Sequence, residues 1–214
     1  MAIAYGGTYR SLEIDEKELG PDNPNVAASL DNLAGLLQVK GDYTGAEPLY
    51  RRSITITEKA LGPDNPNLGK TLNNLATLLK EKGDYVGAES LCRRALSIAE
   101  KALGPNHPEV ARSLNILAPL LIHKGDYVEA EPLYRRSIAI MEEAQDPHNL
   151  DLATALNNLA FLLKVKGDYV GAEPLFRRAL VIDEEALGRD HPTTKKVRAN
   201  LDVLIEVENK KEKR

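Results

Sequence analysis

Residues 74–96 read NLATLLKEKGDYVGAESLCRRAL, and this segment recurs along the chain. Its central tripeptide, Gly83-Asp84-Tyr85, returns at a constant spacing of 42 residues, beginning at Gly41, Gly125 and Gly167. Residues 25–66 and 67–108 are identical at 25 of 42 aligned positions. A fixed period of this length is typical of a repeat protein in which each repeat is one supersecondary unit.

Each repeat contains the pattern of two amphipathic helices. In the second repeat the apolar positions follow the helical spacing and predict a first helix over Pro66 to Lys82: Leu68, Leu72, Leu75 and Leu79. Asn65 is suited to cap its start, and Gly83 is suited to the left-handed conformation at its end. A second helix is predicted to begin after a cap at Asp84 and to end at Gly104-Pro105.

The second helices carry a glutamate four residues before an arginine, an order that stabilises a helix surface. The pairs are Glu47 and Arg51, Glu89 and Arg93, Glu131 and Arg135, and Glu173 and Arg177. We expect these charges to support the helices in solvent rather than to form a site.

Four complete helix pairs are predicted, over residues 25–61, 67–103, 109–145 and 151–187. A half-helix over 8–19 precedes them and a capping helix over 193–209 follows, leaving 1–7 as a leader and 210–214 as a charged tail. One pair cannot bury both of its apolar faces, so the repeats are expected to stack as a single solenoid.

Two positions depart from the repeat. Pro119 lies inside the first helix of the third repeat and is expected to kink or loosen that helix, because proline removes a backbone hydrogen bond. Residues 145–150, QDPHNL, replace the LGPNHP found earlier in the loops, and we expect a local change of the superhelix angle there.

Composition excludes several classes of function. The 214 residues contain 28 Lys plus Arg and 32 Asp plus Glu, a net charge of −4, without the basic stripe of a nucleic-acid-binding protein. No apolar run reaches the roughly 18 residues that span a bilayer, and residues 1–7 lack a signal-peptide pattern. We therefore expect a cytoplasmic protein that binds neither nucleic acid nor membranes.

The single cysteine and the four histidines do not suggest catalysis. Cys92 occupies the position held by Tyr50, Tyr134 and Phe176 in the other repeats, so we expect a buried thiol that serves packing. His107 and His191 stand in loops where Asn23 and Asn65 stand elsewhere, and they are expected to cap helices. No metal-ligand spacing, serine nucleophile motif or phosphate-binding glycine loop is found, so we expect no enzyme, cofactor or metal.

The repeat resembles the tetratricopeptide repeat family, in its 42-residue variety found in kinesin light chains and in many bacterial and nephrocystin-like proteins. The resemblance covers residues 8–209 and is carried by Asn74-Leu75-Ala76, Leu78-Leu79, Gly83-Asp84-Tyr85, Ala88-Glu89, Arg93-Arg94 and Leu103-Gly104-Pro105. It implies an all-α fold, a right-handed superhelical solenoid of antiparallel helix pairs. It also implies a concave wall, lined by the first helices, that holds a short peptide or a helix of a partner protein.

The face of the first helix opposite the leucines is the candidate peptide-binding groove. On it Asn73, Asn115 and Asn157 could form a ladder of amides that bonds the backbone of an extended peptide. Its cations would favour acidic groups of the partner, and Phe161 would add an apolar contact. The candidate residues are Asp31, Asn32, Lys70, Asn73, Asn74, Thr77, Lys80, Arg112, Asn115, His123, Thr154, Asn157, Asn158, Phe161 and Lys164.

Two questions stay open, the role of the asparagines and the function of the chain. The asparagines could bond neighbouring repeats instead of a peptide, with the cations only solvating the face. The leading function is a non-enzymatic protein-protein interaction scaffold. The alternative is a structural module that self-associates through an uncovered apolar edge of the N-terminal half-repeat.

Overall fold

The computed structural model describes residues 2–143 and 149–212, and in this part of the chain it contains ten α-helices and no strand. The helices are α1 (Ala2–Leu19), α2 (Pro24–Val39), α3 (Tyr43–Leu61), α4 (Pro66–Glu81), α5 (Tyr85–Leu103), α6 (Pro108–His123), α7 (Tyr127–Glu143), α8 (Leu150–Val165), α9 (Tyr169–Leu187) and α10 (Pro192–Glu212). The predicted all-α fold class, an array of helix pairs, is confirmed.

Local capping chemistry sets the ends of the helices. The Asn65 side chain accepts a hydrogen bond from the backbone N–H of Asn67 at 3.0 Å, so α4 begins at Pro66. Gly83 has φ +85°, a left-handed conformation that ends the helix. The Asp84 carboxylate then accepts the N–H of Gly87 at 2.9 Å and starts α5. These predicted caps are confirmed.

Two histidines replace asparagine in the same capping role. His107 Nδ1 accepts the backbone N–H of Glu109 at 3.1 Å, and His191 Nδ1 accepts that of Thr193 at 3.2 Å. In both cases the ring nitrogen takes the place of the asparagine side-chain oxygen that accepts the N–H in other repeats. The prediction of a capping role for both histidines is confirmed.

The core lies between the two helices of each pair. The leucines predicted to face inward in α4 are all buried: Leu68, Leu72, Leu75 and Leu79. Cys92 in α5 is completely buried, and burial raises the pKa of its thiol to about 12. The expected packing role of Cys92 is therefore confirmed, because a thiol so protonated and enclosed is a poor nucleophile.

Ion pairs cover the outside of the second helices. The four predicted pairs within a helix all form: Glu47 with Arg51, Glu89 with Arg93, Glu131 with Arg135, and Glu173 with Arg177. Pairs between repeats add to them and were not predicted: Glu47 with Lys82, Glu131 with Lys166, Glu16 with Arg52, Glu58 with Arg94, and Glu142 with Arg178. The two partners of each pair are 35 or 36 residues apart, and this recurring spacing is the sequence pattern from which these pairs could have been predicted.

Some helix bounds differ from the expected ones. Helix α1 begins at Ala2, so it includes residues 2–7 as well as the helix predicted over 8–19. Helix α10 runs to Glu212 and includes part of the expected charged tail. Once a helix exists, each further residue that is fixed gains one backbone hydrogen bond. A helix can therefore continue into a segment whose residues have low helix propensity.

The two departures from the repeat have different outcomes. Helix α6 runs through Pro119 without a break, because buried neighbours such as Leu117 and Leu120 anchor it on both sides. The kink itself stays a prediction. The substituted loop at 145–148 lies outside the described residues, so the change of angle expected there is untested.

The chain divides into two compact units, Met1–Ile116 (unit 1) and Leu117–Arg214 (unit 2), with the division inside α6. In a repeat array each repeat contacts only its neighbours, so no central core joins all of the repeats. One continuous solenoid over residues 8–209 stays a prediction.

Candidate functional site

We call the exposed side of the first helices, opposite their buried leucines, the first-helix face. In unit 1 its residues are Asp31, Asn32, Lys70, Asn74, Thr77, Lys80 and Arg112. In unit 2 its residues are Thr154, Asn157, Asn158, Phe161, Lys164, Val165, Asn200 and Val203. Within each unit the first helices lie side by side, α2 against α4 and α8 against α10.

A chain of polar contacts crosses the first-helix face of unit 1. Asn74 Nδ2 donates to Asp31 Oδ2 at 3.3 Å, which joins α4 to α2. Arg112 Nη2 donates to Asn74 Oδ1 at 2.9 Å, which joins α6 to α4. The structure therefore brings together three of the residues predicted from sequence, one from each of three successive repeats.

Asp31 is the acidic group of this chain. Burial raises the pKa of its carboxyl above the ordinary value, and hydrogen bonds from Thr71 and Asn74 and the charge of Arg112 only partly oppose this. The charged form of Asp31 is thus less stable in the protein than it would be in water.

A cavity of about 240 Å³ lies beside Asp31. It is formed by α2, α3 and α4 and lined by Pro24, Ala27, Ala28, Asp31, Ser53, Asn67, Lys70 and Thr71. Its wall combines one carboxylate, one ammonium group, two hydroxyls and an amide with an apolar surface of proline and alanine. Such a mixture of apolar wall and few polar groups is typical of ligand sites.

Asn73 does not belong to the first-helix face, which corrects the predicted ladder. Its side chain is buried, with 1% exposed, and its Nδ2 donates to Ser113 Oγ at 2.9 Å. The helix wheel placed it on the open side, but α6 covers that side of α4. For Asn73 the structure supports the alternative in which the amide bonds a neighbouring repeat.

The cations of the face fall into two groups. Arg112 is held by Asn74, and Lys70 Nζ lies 4.0 Å from Glu109 Oε1, so both already face acceptors of the protein. Lys80 and Lys164 are half-buried and form no ion pair with the described residues. Of the four cations predicted to attract acidic groups, these two keep their charge uncompensated.

In unit 2 an amide pair corresponds to the contact between Asn74 and Asp31. Asn200 Nδ2 donates to Asn157 Oδ1 at 3.1 Å, and Asn157 Nδ2 donates to Asn158 Oδ1 at 3.2 Å. Asn158 also bonds Tyr134, whose pKa burial raises. Asn200 was missed by the sequence reasoning, although it follows Asn158 by one repeat of the chain.

Three large apolar side chains are exposed on the first-helix face of unit 2. The exposed fractions are 45% for Phe161, 52% for Val165 and 47% for Val203. Phe161 and Val165 are four residues apart on α8 and therefore adjacent. The helix wheel predicts Phe161 and Val165 on this face. It does not predict Val203, although Val203 stands one repeat after Phe161 in the sequence.

The other predicted residues make local contacts or face solvent. Thr77 and Thr154 donate their hydroxyls to backbone carbonyls of their own helices, at 3.0 Å and 2.9 Å. Asn32 and His123 are exposed, and Asn115 is half-buried. These side chains lie on first helices, but no contact described above connects them to the polar chain of unit 1 or the apolar patch of unit 2.

Among the described residues no cluster of three or more His, Cys, Asp or Glu side chains is arranged to hold a metal ion. In the same part of the chain, no helix has the length and apolar character needed to cross a membrane.

Paired helices with these caps and this 42-residue period define an α-helical repeat protein. The sequence matches models described as tetratricopeptide repeat over residues 26–89, 70–143 and 152–193. The chain belongs to the tetratricopeptide repeat family. No curated protein matches it at a significant level.

Solved structures share the fold. BtubC (BKLC) from P. vanneervenii is 22% identical, with a TM-score of 0.79 over 96% of this chain and 83% of that chain. A Podosopora anserina protein described as a putative kinesin light chain with nearly identical TPR-like repeats is 22% identical in two structures. The structure of its point variant has a TM-score of 0.72 over 89% of this chain and 90% of that chain. The other structure gives 0.67 over 87% and 88%.

Proposed function

We propose that the chain is a non-enzymatic scaffold that binds a short segment of a partner protein on its first-helix faces. The observation that carries this proposal is the apolar patch of Phe161, Val165 and Val203 in unit 2. Exposed apolar side chains rimmed by polar groups mark interaction sites, since such a cluster gains free energy when a partner covers it. Membership in the tetratricopeptide repeat family supports the same function.

The polar rim supplies the orientation of the partner. Asn158 and the Asn157–Asn200 pair lie on the same face as the patch and can exchange hydrogen bonds with an extended backbone. Lys164 in unit 2 and Lys80 in unit 1 form no ion pair with described residues, so each would favour an acidic group of the partner.

The absence of catalysis and a cytoplasmic location are parts of the same proposal. The polar side chains described above cap helices, pair charges on the surface or join repeats, and those on the first-helix face suit recognition. Cys92 is a buried thiol, which is compatible with a reducing compartment.

The test is selection of a displayed peptide library, including free C-termini, on the wild-type chain and on a Phe161→Ala, Val203→Ala variant. We expect peptides that bind the wild type and lose most of their affinity for the variant. Val170→Ala is the matched control, because Val170 is 82% exposed but lies on the second helix α9. Equal binding by all three proteins would contradict the proposal.

A second candidate function is self-association through α1. Ile14 is 44% exposed, whereas its counterparts in later repeats, Ile56, Ile98 and Ile140, are at most 4% exposed. A second copy covering Ile14 would bury it as its counterparts are buried. Light scattering would show a mass that rises with concentration for the wild type and not for Ile14→Glu; a constant monomer mass would reject this candidate.

A further inference from the structure

Asp31 is the one acidic member of a column of asparagines. The equivalent residues of the next three repeats, each 42 positions later, are Asn73, Asn115 and Asn157. Asparagine is therefore compatible with the helix packing at this position, and the carboxylate of the first repeat adds a charge that the fold does not require.

The cavity beside Asp31 has the size and lining for one side chain. Its volume is about 240 Å³, and it combines Pro24, Ala27 and Ala28 with the carboxylate. Lysine and arginine bury their aliphatic stems against such apolar surface while the charged end seeks an acceptor. Among the residues that line the cavity Asp31 is the one with a negative charge, so its carboxylate is the principal acceptor for a cation.

The Asp31 carboxylate has little support from the protein. Asn74 donates to its Oδ2 at 3.3 Å, and Thr71 also supports the charged form by a hydrogen bond. The other oxygen, Oδ1, is buried and receives no well-formed hydrogen bond from the described residues. Burial raises the pKa of this carboxyl in spite of the nearby Arg112 charge. A cationic donor placed beside it would therefore be stabilised by a charge-assisted hydrogen bond.

The cations near Asp31 face other acceptors. Arg112 donates to Asn74 Oδ1 at 2.9 Å, and Lys70 Nζ lies 4.0 Å from Glu109 Oε1. Lys70 lines the cavity, so its charge opposes an entering cation and its removal should strengthen binding.

We propose that this cavity receives a lysine or arginine side chain of the partner segment, with Asp31 as the acceptor of its charged group. The proposal rests on the peptide-binding function proposed above and adds the chemical class of one anchor residue. It places a basic anchor in unit 1, where the sequence pattern had suggested only acidic groups.

The test uses peptides selected from a displayed random library on the wild-type chain. Each lysine of a selected peptide is then replaced by norleucine and each arginine by citrulline, and affinities are measured for the wild type and for Asp31→Asn. We expect one basic residue whose replacement weakens binding to the wild type about tenfold or more and binding to Asp31→Asn little. Thermal melting should show that Asp31→Asn folds as the wild type does.

Two further variants separate the cavity from general attraction. Glu81→Gln removes an exposed acid of α4 that bonds Gln38, and it should leave the affinity unchanged. Lys70→Gln should raise the affinity of the same peptide. The proposal is overturned if peptides bind without a sensitive basic residue, or if Glu81→Gln weakens binding as much as Asp31→Asn. In either case peptide binding itself stands, whereas failure of the wild type to select any peptide removes both.

Discussion

Asn73 donates its side-chain amide to the Ser113 hydroxyl across 2.9 Å, which joins the first helices α4 and α6 inside unit 1. Both side chains are buried, and Ser113 in turn donates to the backbone carbonyl of Glu109 at 3.0 Å. A buried polar pair must remain bonded, because a buried group left without a partner costs about 1–3 kcal/mol. Of the two roles predicted for Asn73, ligand recognition and bonding between repeats, the structure supports the second.

Truncation of this amide should reduce stability. We expect Asn73→Ala to lower the free energy of unfolding by about 1–3 kcal/mol, because it leaves a small cavity and removes a donor to Ser113. Urea unfolding measures the change. A double-mutant cycle with Ser113→Ala should give a coupling of about 0.5–1.5 kcal/mol, and Asn32→Ala, at an exposed position of α2, should be nearly neutral. Additive effects of Asn73→Ala and Ser113→Ala would contradict the pairing.

Two apolar residues of α8 should contribute very different amounts to the free energy of unfolding. Phe161 is 45% exposed and Leu159 only 1%. Phe161→Ala should change the free energy of unfolding by no more than about 0.5 kcal/mol, whereas Leu159→Ala should cost about 2–5 kcal/mol by leaving a cavity. Thermal and urea unfolding of the two variants test this contrast, and a large loss for Phe161→Ala would mean that the ring is part of the core.

Asp183 should make stability depend on pH. It is buried in α9, and burial raises the pKa of its carboxyl above the ordinary 3.8, with the charge of His191 opposing the shift. The folded state then holds this proton more tightly than the unfolded state. Stability from this group is therefore present at low pH and is lost as the pH rises from 3.8 through the raised pKa.

Asp183→Asn should remove this dependence. The variant should be more stable than the wild type at about pH 7, and the difference should shrink towards about pH 4. Unfolding in urea at both values measures it. Asp190→Asn is the control, because the Asp190 side chain is 99% exposed and pairs only with Lys195 at the surface. A wild type that is more stable than Asp183→Asn at neutral pH would show that the carboxylate is well supported.

The thiol of Cys92 should be protected in the folded chain. It is completely buried and its pKa is raised to about 12, so very little thiolate exists at about pH 8. We expect alkylation by iodoacetamide to be orders of magnitude slower in the native protein than in the denaturant-unfolded chain. Rapid labelling without denaturant would mean that α5 opens locally far more often than a core helix should.

The sequence predicted much of the fold because the decisive signals are local. A leucine period identifies the first helix, Asn65 and Pro66 start it, and Gly83 and Asp84 form the turn to the next helix. Capping bonds join residues two or three positions apart, so they form in the same way in every repeat. Even the replacement of Asn65 by His107 was interpretable, since either side chain can accept the same N–H.

The candidate site was predicted less well because it depends on distant residues. Asn73 and Asn74 are neighbours in sequence, yet one is buried against Ser113 and the other is half-buried between Asp31 and Arg112. A helix wheel gives the angle of each side chain but not the position of the adjacent first helix that covers one of them. Asn200 and Val203 were missed for a different reason: the terminal helix α10 was interpreted only as a cap, although both residues stand one repeat after residues of the α8 face.

The sequence by itself thus determined the repeat, the two helices within it, their caps and the family. Each of these follows from contacts within about a helical turn and from the constant period of 42 residues, which is typical of a repeat protein. Only the tertiary structure decided which polar side chains join repeats and which remain available to a ligand, and it alone placed a cavity beside Asp31. The reason is that burial is set by helices from different repeats, whose packing distance and tilt no local pattern contains.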